Sequence, residues 1–252
     1  MCEGQIIESR HKACVKLSPT YLGDELKLFL ENNYPNLTTK DRIILGMILC
    51  LKSSKKGKLL SLREKKELTP GLIRLLKTVR DFANKTNNIS TVVVSKMEHL
   101  IFFLSNGEIA LSLVDNAAFG RVLGDKQILG DKKTPVGLYR VVKKKRNSGF
   151  TRFIGINYPT ADQAKRAFVA NKISATEKNK IQRANENNLM PPYKTDLGGH
   201  IGIHGLSTGK QFECKRSATK KDWTPGCIAL ENHMIRKYFK QVEKGTPVLI
   251  LP

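Results

Sequence analysis

Apolar positions fall into two regimes along the chain. Up to about residue 88 they recur at helical spacing. Leu22, Leu26, Leu28, Phe29 and Leu30 cluster ahead of Pro35. Ile43, Ile44, Met47, Ile48 and Leu51 form a broad apolar face behind Thr39-Lys40-Asp41-Arg42, which reads as a helix start. Thr69-Pro70 fits an N-cap with proline at the first helical position, and Leu72, Ile73, Leu75, Leu76, Val79 and Phe82 follow at helical spacing. The Lys/Gly/Ser stretch over 52–58 reads as a loop between helices.

Beyond Asn87-Asn88 the period changes. The β-branched run at 91–94 predicts a strand. Leu100-Ile101-Phe102-Phe103-Leu104 leads into Ser105-Asn106-Gly107-Glu108, whose Asn-Gly pair is a strong hairpin signal, with a returning strand over 109–114. Further strands are predicted over 137–142, 153–156, 200–203 and 247–251, and a helix over 232–242. The polar, Ala- and Lys-rich stretch 161–187 predicts helices in an insertion reaching to 197, long enough to cap a cleft. The pattern therefore predicts an α+β chain: a helical N-terminal region at 1–88, then a mostly antiparallel β domain at 89–252 with a helical cap insertion.

Composition narrows the class. A chain of 252 residues that is 40% hydrophobic and 26% charged has a core of ordinary size, which excludes wholesale disorder and collagen-like architectures. The longest apolar run, 43–51, is far short of the ~20 residues a membrane span needs. The start is polar and has no signal-peptide pattern. This implies either a cytoplasmic protein or one whose signal has been removed. Met1-Cys2 also fits an added Met before the lipid-bearing Cys of a mature lipoprotein, which implies peripheral or lipid-anchored membrane association. The formal net charge is +22. It favours a polyanionic partner such as an acidic wall polymer, an anionic membrane face or nucleic acid, or it serves solubility alone. Lys143-Lys144-Lys145-Arg146 is the densest basic patch, yet no standard nucleic-acid motif accompanies it and aromatics make up only 7%. No nucleic-acid partner is expected.

Three clusters carry candidate chemistry. Gly130-Asp131-Lys132-Lys133-Thr134-Pro135-Val136-Gly137-Leu138-Tyr139 reads as a turn entering a strand. In Gly198-Gly199-His200-Ile201-Gly202-Ile203-His204-Gly205, strand alternation sets His200, Gly202 and His204 on one face and the two isoleucines on the other. Asp222-Trp223-Thr224-Pro225-Gly226-Cys227-Ile228-Ala229-Leu230-Glu231-Asn232 puts a thiol on a Pro-Gly turn, where backbone N–H groups can face an oxyanion. A thiol near an imidazole forms a nucleophile and its base. A free thiol is only about 3% ionised at pH 7, and an imidazole partner can raise that toward full ionisation. A lone Cys is otherwise a small core residue, and a lone His a structural hydrogen-bonder. The five cysteines, Cys2, Cys14, Cys50, Cys214 and Cys227, are odd in number and too sparse for a disulfide scaffold. Cys214 and Cys227 lack metal-ligand spacing, so no metal and no cofactor is called for.

In combination and in this order, the Gly130–Tyr139 segment, Ile203-His204-Gly205 and Thr224-Pro225-Gly226-Cys227 resemble the L,D-transpeptidase catalytic domain, also called YkuD. The segments 222–232 and Gly245-Thr246-Pro247-Val248 resemble one branch of it. The resemblance covers 89–252 and implies an L,D-transpeptidase-like β-sandwich. It implies that Cys227 is the nucleophile and His204 the base, its ring oriented by the Gly205 carbonyl. The oxyanion donors would be the N–H groups of Cys227 and Gly226, and His200, Tyr139, Trp223, Thr224 and Asn232 would line the cleft. It implies an acyl-thioester enzyme acting on peptidoglycan stem peptides, in the periplasm or elsewhere outside the bacterial cytoplasm. Water as acceptor would make it an L,D-carboxypeptidase or endopeptidase instead. A basic wall- or nucleic-acid-binding protein is the alternative of another class. Three departures bear on substrate choice. Pro225 stands where many members have His, Ala229 where many have Arg, and the stretch 206–223 is longer than in compact members.

Overall fold

The computed structural model describes residues 24–38, 61–87, 89–206 and 222–252, with positions 41–42, 44–46 and 48–49. The sequence readings at 1–23 and 51–60, and Cys2, Cys14, Cys50 and Cys214, lie outside the described residues. Two compact units divide the chain, Met1–Thr86 and Asn87–Pro252.

In the first unit α1 spans Asp24–Asn33 and α2 spans Leu62–Lys85, with helical positions between 41 and 49. The Thr38 hydroxyl accepts from the Asp41 N–H (3.2 Å) and donates to the Asp41 carboxylate (2.7 Å), a capping contact at the start of these positions. α2 starts well before the Thr69-Pro70 pair. Ser61 and Glu64 form a reciprocal capping box that satisfies the first-turn donors upstream, so Pro70 lies inside the helix. Thr69 is buried there and its hydroxyl donates to the Lys65 carbonyl at 2.6 Å. Leu30, Leu45, Ile48, Leu72 and Val79 are fully buried.

In the second unit the strands are β1 (Thr91–Ser95), β2 (Leu100–Ser105), β3 (Glu108–Ile109), β4 (Asp115–Asn116), β5 (Gly137–Ser148), β6 (Thr151–Ile156), β7 (Gly202–His204), β8 (Ile228–Ala229) and β9 (Pro247–Leu251). Their order is β3-β2-β1-β9-β5-β6-β7-β8, with β4 on β2. All pairings are antiparallel except β1 with β9 and β7 with β8. The long β5 belongs to both halves. It pairs with β9 up to Arg140 and with β6 from Val141 on, with a register shift between Val141 and Lys143, the kind of irregularity that bends a strand. Both halves and the helix α5 (Asn232–Gln241) enclose one core, with Val92, Ile101 and Val248 on one side, Ile154, Ile203 and Ile228 on the other, and Met234, Ile235 and Tyr238 from α5.

The Asn106-Gly107 turn forms as predicted, both residues at positive φ. The returning strand is shorter than predicted. It ends at Ile109, and a 3₁₀ turn over Leu111–Leu113 brings Leu113 and Val114 into the interior. The insertion forms α3 (Ala161–Val169) and α4 (Ala175–Glu186), started by Thr160/Gln163 and Ser174/Glu177 capping boxes. These helices share a small core of Ala164, Ala167, Ile173, Ile181 and Leu197. Two buried polar links tie the cap to the sheet: Asn157 Nδ2 donates to Asn185 Oδ1 (2.7 Å), and Gln163 Nε2 donates to the Tyr139 hydroxyl (2.9 Å).

Candidate active site

The floor of the site follows from register. Across the sheet, Lys145, Phe153, His204 and Ala229 form one row, and Lys143, Gly155 and Gly202 the next. Cys227, one step before the paired Ile228, continues that second row. Residues opposite one another share a sheet face, so Cys227 and His204 stand on one face of neighbouring parallel strands. The isoleucines between them, Ile203 and Ile228, are fully buried in the core on the other face. The Phe153 ring lies across the open face: a Cβ added at Gly202 would meet it at 2.7 Å, and one at Gly155 at 2.9 Å. Met190, just beyond α4, covers Gly155 from above, within 3.1 Å of such a Cβ.

His204 is buried between two rings, Phe150 at 4.6 Å and Trp223 edge-on at 5.8 Å. Its Nδ1 lies 2.6 Å from the Gly205 carbonyl. A carbonyl only accepts, so Nδ1 carries the proton and Nε2 presents a lone pair in the neutral ring. Burial lowers the imidazole's pKa, partly offset by that carbonyl, which favours the neutral form. Asn232 holds the segment that follows. Its Oδ1 accepts from the Leu206 N–H and the Thr151 hydroxyl, both at 2.8 Å. It also leaves no room beside Gly205, where a Cβ would sit 2.6 Å from that oxygen.

The turn carrying Cys227 is built by Thr224, which is fully buried. Its hydroxyl donates to the Cys227 carbonyl (2.6 Å) and accepts from the Gly226 N–H (3.1 Å). Gly226 sits at φ +146° with the Lys133 carbonyl 2.7 Å from where a Cβ would be, so only glycine fits. The Gly226 N–H, expected at an oxyanion, is therefore engaged inside the turn in this state. Cys227 is partly exposed. Its thiol donates to the His200 carbonyl at 3.5 Å. Burial pushes the thiol pKa up to about 11, opposed by the Gly202 N–H and Lys126. At pH 7 roughly one thiol in ten thousand is then ionised. The raised thiol and the lowered imidazole both shift the balance toward the neutral forms.

The remaining cleft-lining expectations divide. Tyr139 is 3% exposed, with its hydroxyl donating to the Val136 carbonyl. It is a core residue that anchors the cap, and it has no surface to offer a substrate. Thr224 and Asn232 shape the turn and the His204 segment, as described. Trp223 packs edge-on against the His204 ring. His200 does not share the strand face of His204. It precedes β7 at φ +57°, which breaks the alternation, and its exposed ring stacks on Tyr193 at 4.8 Å.

Sequence reasoning missed His99. Its Nε2 lies 3.1 Å from one oxygen of Asp222, while the other oxygen accepts from the Phe119 N–H at 2.8 Å. This bridge secures the chain one residue before Trp223. Only contacts over 123 positions reveal it, so no local pattern could have. Asp131 organises the Gly130–Tyr139 segment by accepting from Lys126 and the N–H groups of Gln127, Ile128 and Lys133. Burial alone would raise its pKa, but these donors outweigh that and hold it below the usual range. A cavity of about 380 Å³ lies between this loop and the cap, lined by Tyr158, Gln163 and Arg166 among others. Neither Cys227 nor His204 is in its wall. Among the described residues no three His, Cys, Asp or Glu side chains converge on a metal position.

The L,D-transpeptidase catalytic domain model (YkuD) matches residues 89–250, well over half of the chain. The chain belongs to this family. No curated protein matches it. Among solved structures it is similar to the helical cell shape determining protein Pgp2 from Campylobacter jejuni (23% identity, 65% of this chain and 48% of that one, TM-score 0.44). It is also similar to an L,D-transpeptidase from Enterococcus faecium (15% identity, 65% and 50%, TM-score 0.38) and to L,D-transpeptidase 1 from Mycobacterium tuberculosis (14% identity, 65% and 61%, TM-score 0.34). The chain spans about half the length of the first two. In this YkuD domain, the sites of the family's frequent His and Arg hold an exposed Pro225 and a fully buried Ala229.

The shift toward the neutral forms has a measurable consequence. Alkylation of Cys227 by iodoacetamide is expected to keep rising with pH beyond about pH 9, because the thiol's folded pKa is raised. Peptide-resolved rates over pH 5–10 check this, and a plateau already reached near pH 7 would show a preformed ion pair instead.

Proposed function

We propose that the domain at residues 89–252 is a cysteine-dependent acyltransferase acting on peptidoglycan stem peptides. Cys227 is the nucleophile and His204 the general base. The observation that carries this is the shared sheet face of the two residues, together with the Gly205 carbonyl that leaves Nε2 of His204 as the acceptor. When the thiol leaves the His200 carbonyl, Sγ attacks the carbonyl carbon of an L-residue joined to a D-residue as its proton passes to Nε2. The Cys227 N–H stabilises the oxyanion. The Gly226 N–H can join it only by releasing Thr224. Collapse expels the D-residue's amine, which takes the proton from His204, and leaves an acyl-thioester on Cys227. An incoming amine, deprotonated by His204, then forms a cross-link. Water in its place gives the L,D-carboxypeptidase or endopeptidase product from the same thioester. The setting that suits this chemistry is the bacterial envelope outside the cytoplasm, with the helical unit at 1–88 as an accessory region.

Product analysis with a wall-stem tetrapeptide, with and without an amine acceptor, tests the proposal. Loss of the terminal D-residue is expected in both cases, with a new amide when acceptor is present, and Cys227→Ala should abolish both. Turnover that survives in Cys227→Ala would overturn it. A product unchanged by the amine would assign the hydrolytic form.

A further inference from the structure

The basic run at 143–146 is not one patch once folded. Alternation along β5 sends Lys144 to the α5 side, where its ammonium lies over the Phe239 ring at 4.9 Å and pairs with Glu243 at 3.2 Å. Lys143 and Lys145 go to the opposite face. They are exposed, and neither has an ion-pair partner among the described residues. That face is the one bearing His204 and Cys227: Lys145 shares the row of Phe153 and His204, and Lys143 shares the row of Gly155, Gly202 and Cys227.

Between lysines and thiol the strands carry only Gly155 and Gly202, over which the Phe153 ring and Met190 lie, so a bound chain would run across those two side chains. Three strand spacings separate β5 from β8, about 14 Å. An extended peptide advances roughly 3.3 Å per residue, and a lysine reaches inward by several ångströms. An acidic group roughly two to four residues from the reacting carbonyl can therefore meet the ammonium groups. The field of Lys143 already acts on the His200 ring, whose pKa is lowered first by burial and then by that charge. His200 in turn holds the Cys227 thiol through its carbonyl, and register puts Lys143 in the row of Gly155 and Gly202 on the same sheet face.

We propose that Lys143 and Lys145 form a carboxylate-recognising flank of the cleft, selecting acyl donors with a free acidic group a few residues from the scissile bond. This rests on the cleft assignment above and extends it to donor specificity. The flank supplies the positive charge that Ala229 does not.

Binding can be read apart from turnover, since Trp223 is the chain's single tryptophan and packs on His204. The Kd of a synthetic wall-stem tetrapeptide with free carboxylates is measured by Trp223 fluorescence, against the same peptide with all its carboxylates amidated. The wild type should bind the free acid more tightly, and added salt should erode the preference. The double variant K143Q/K145Q should weaken binding of the free acid roughly fivefold or more, from two solvent-accessible charge contacts, and leave the amidated peptide unchanged. K144Q, on the other face, should bind as wild type. Equal binding of the two peptides by the wild type, a double variant that binds the free acid as well as the wild type does, or no binding of either peptide would overturn the proposal. Lysine-dependent binding without a thioester on Cys227 would leave this flank standing and remove the acyltransfer reading.

Discussion

Exposure to a carbapenem is expected to place one covalent adduct on Cys227 and none on the other cysteines. The family's donors are held as thioesters, and a strained β-lactam carbonyl mimics the donor. Three physical requirements act together at this position. A base must accept the thiol proton during attack, and His204 has its Nδ1 fixed on the Gly205 carbonyl, which leaves Nε2 basic. The developing oxyanion needs a fixed N–H, and the Thr224-built turn holds the Cys227 backbone rigidly through the 2.6 Å bond to its carbonyl. The thioester must be shielded from water, and the segment after α4 sets Met190 over Gly155 and Tyr193 against His200 beside the thiol. Ring opening releases the lactam's strain, so the adduct should form to completion. Intact mass followed by peptide mapping checks it. An adduct on Cys50 or Cys214 with Cys227 unmodified would sink the nucleophile assignment.

His204→Gln is expected to lower the rate of stem-peptide turnover by roughly 10²–10⁴, the usual contribution of a positioned base. The effect should be at the upper end here. With the thiol raised to about 11, almost no thiolate exists at neutral pH, so without a base the proton has nowhere to go during attack. Glutamine keeps hydrogen-bonding capacity between Phe150 and Trp223 but cannot take up a proton. The loss should fall on kcat more than on KM, because His204 acts on the thiol rather than on the substrate's binding groups. Steady-state kinetics of the variant, with a thermal melt to show that it folds, check this. A loss under about threefold, or a loss wholly in KM, would assign His204 a packing role and leave Cys227 without its base.

Much of the architecture was legible because local and global preferences agree. The Asn106-Gly107 turn, the Pro247–Leu251 strand and the helix from Asn232 each carry their signal within a few residues. The misreadings arise where a competing signal or a packed partner overrides the local pattern. Thr69-Pro70 looks like a helix start, but the Ser61–Glu64 box begins α2 earlier and burial tolerates the proline inside it. His200 fits strand alternation with His204, yet its positive φ takes it out of β7. Tyr139 stands in a motif that suggests contact with substrate, yet Gln163 of the cap and the Val136 carbonyl hold it in the core.

The residues by themselves determined the chemistry on offer: a thiol on a Pro-Gly turn, a histidine beside glycine, and the order of motifs that marks the family. They determined the helical insertion as well, since period and turn residues act over short spans. Only the tertiary structure decided how those groups are poised. Neighbouring parallel strands β7 and β8, with 22 positions between His204 and Cys227, set the two on one face. Burial then shifts the thiol and the imidazole toward their neutral forms, and the alternation of β5 against β6 separates Lys144 from Lys143 and Lys145. Register and desolvation are properties of packed partners, and no single stretch of sequence contains them.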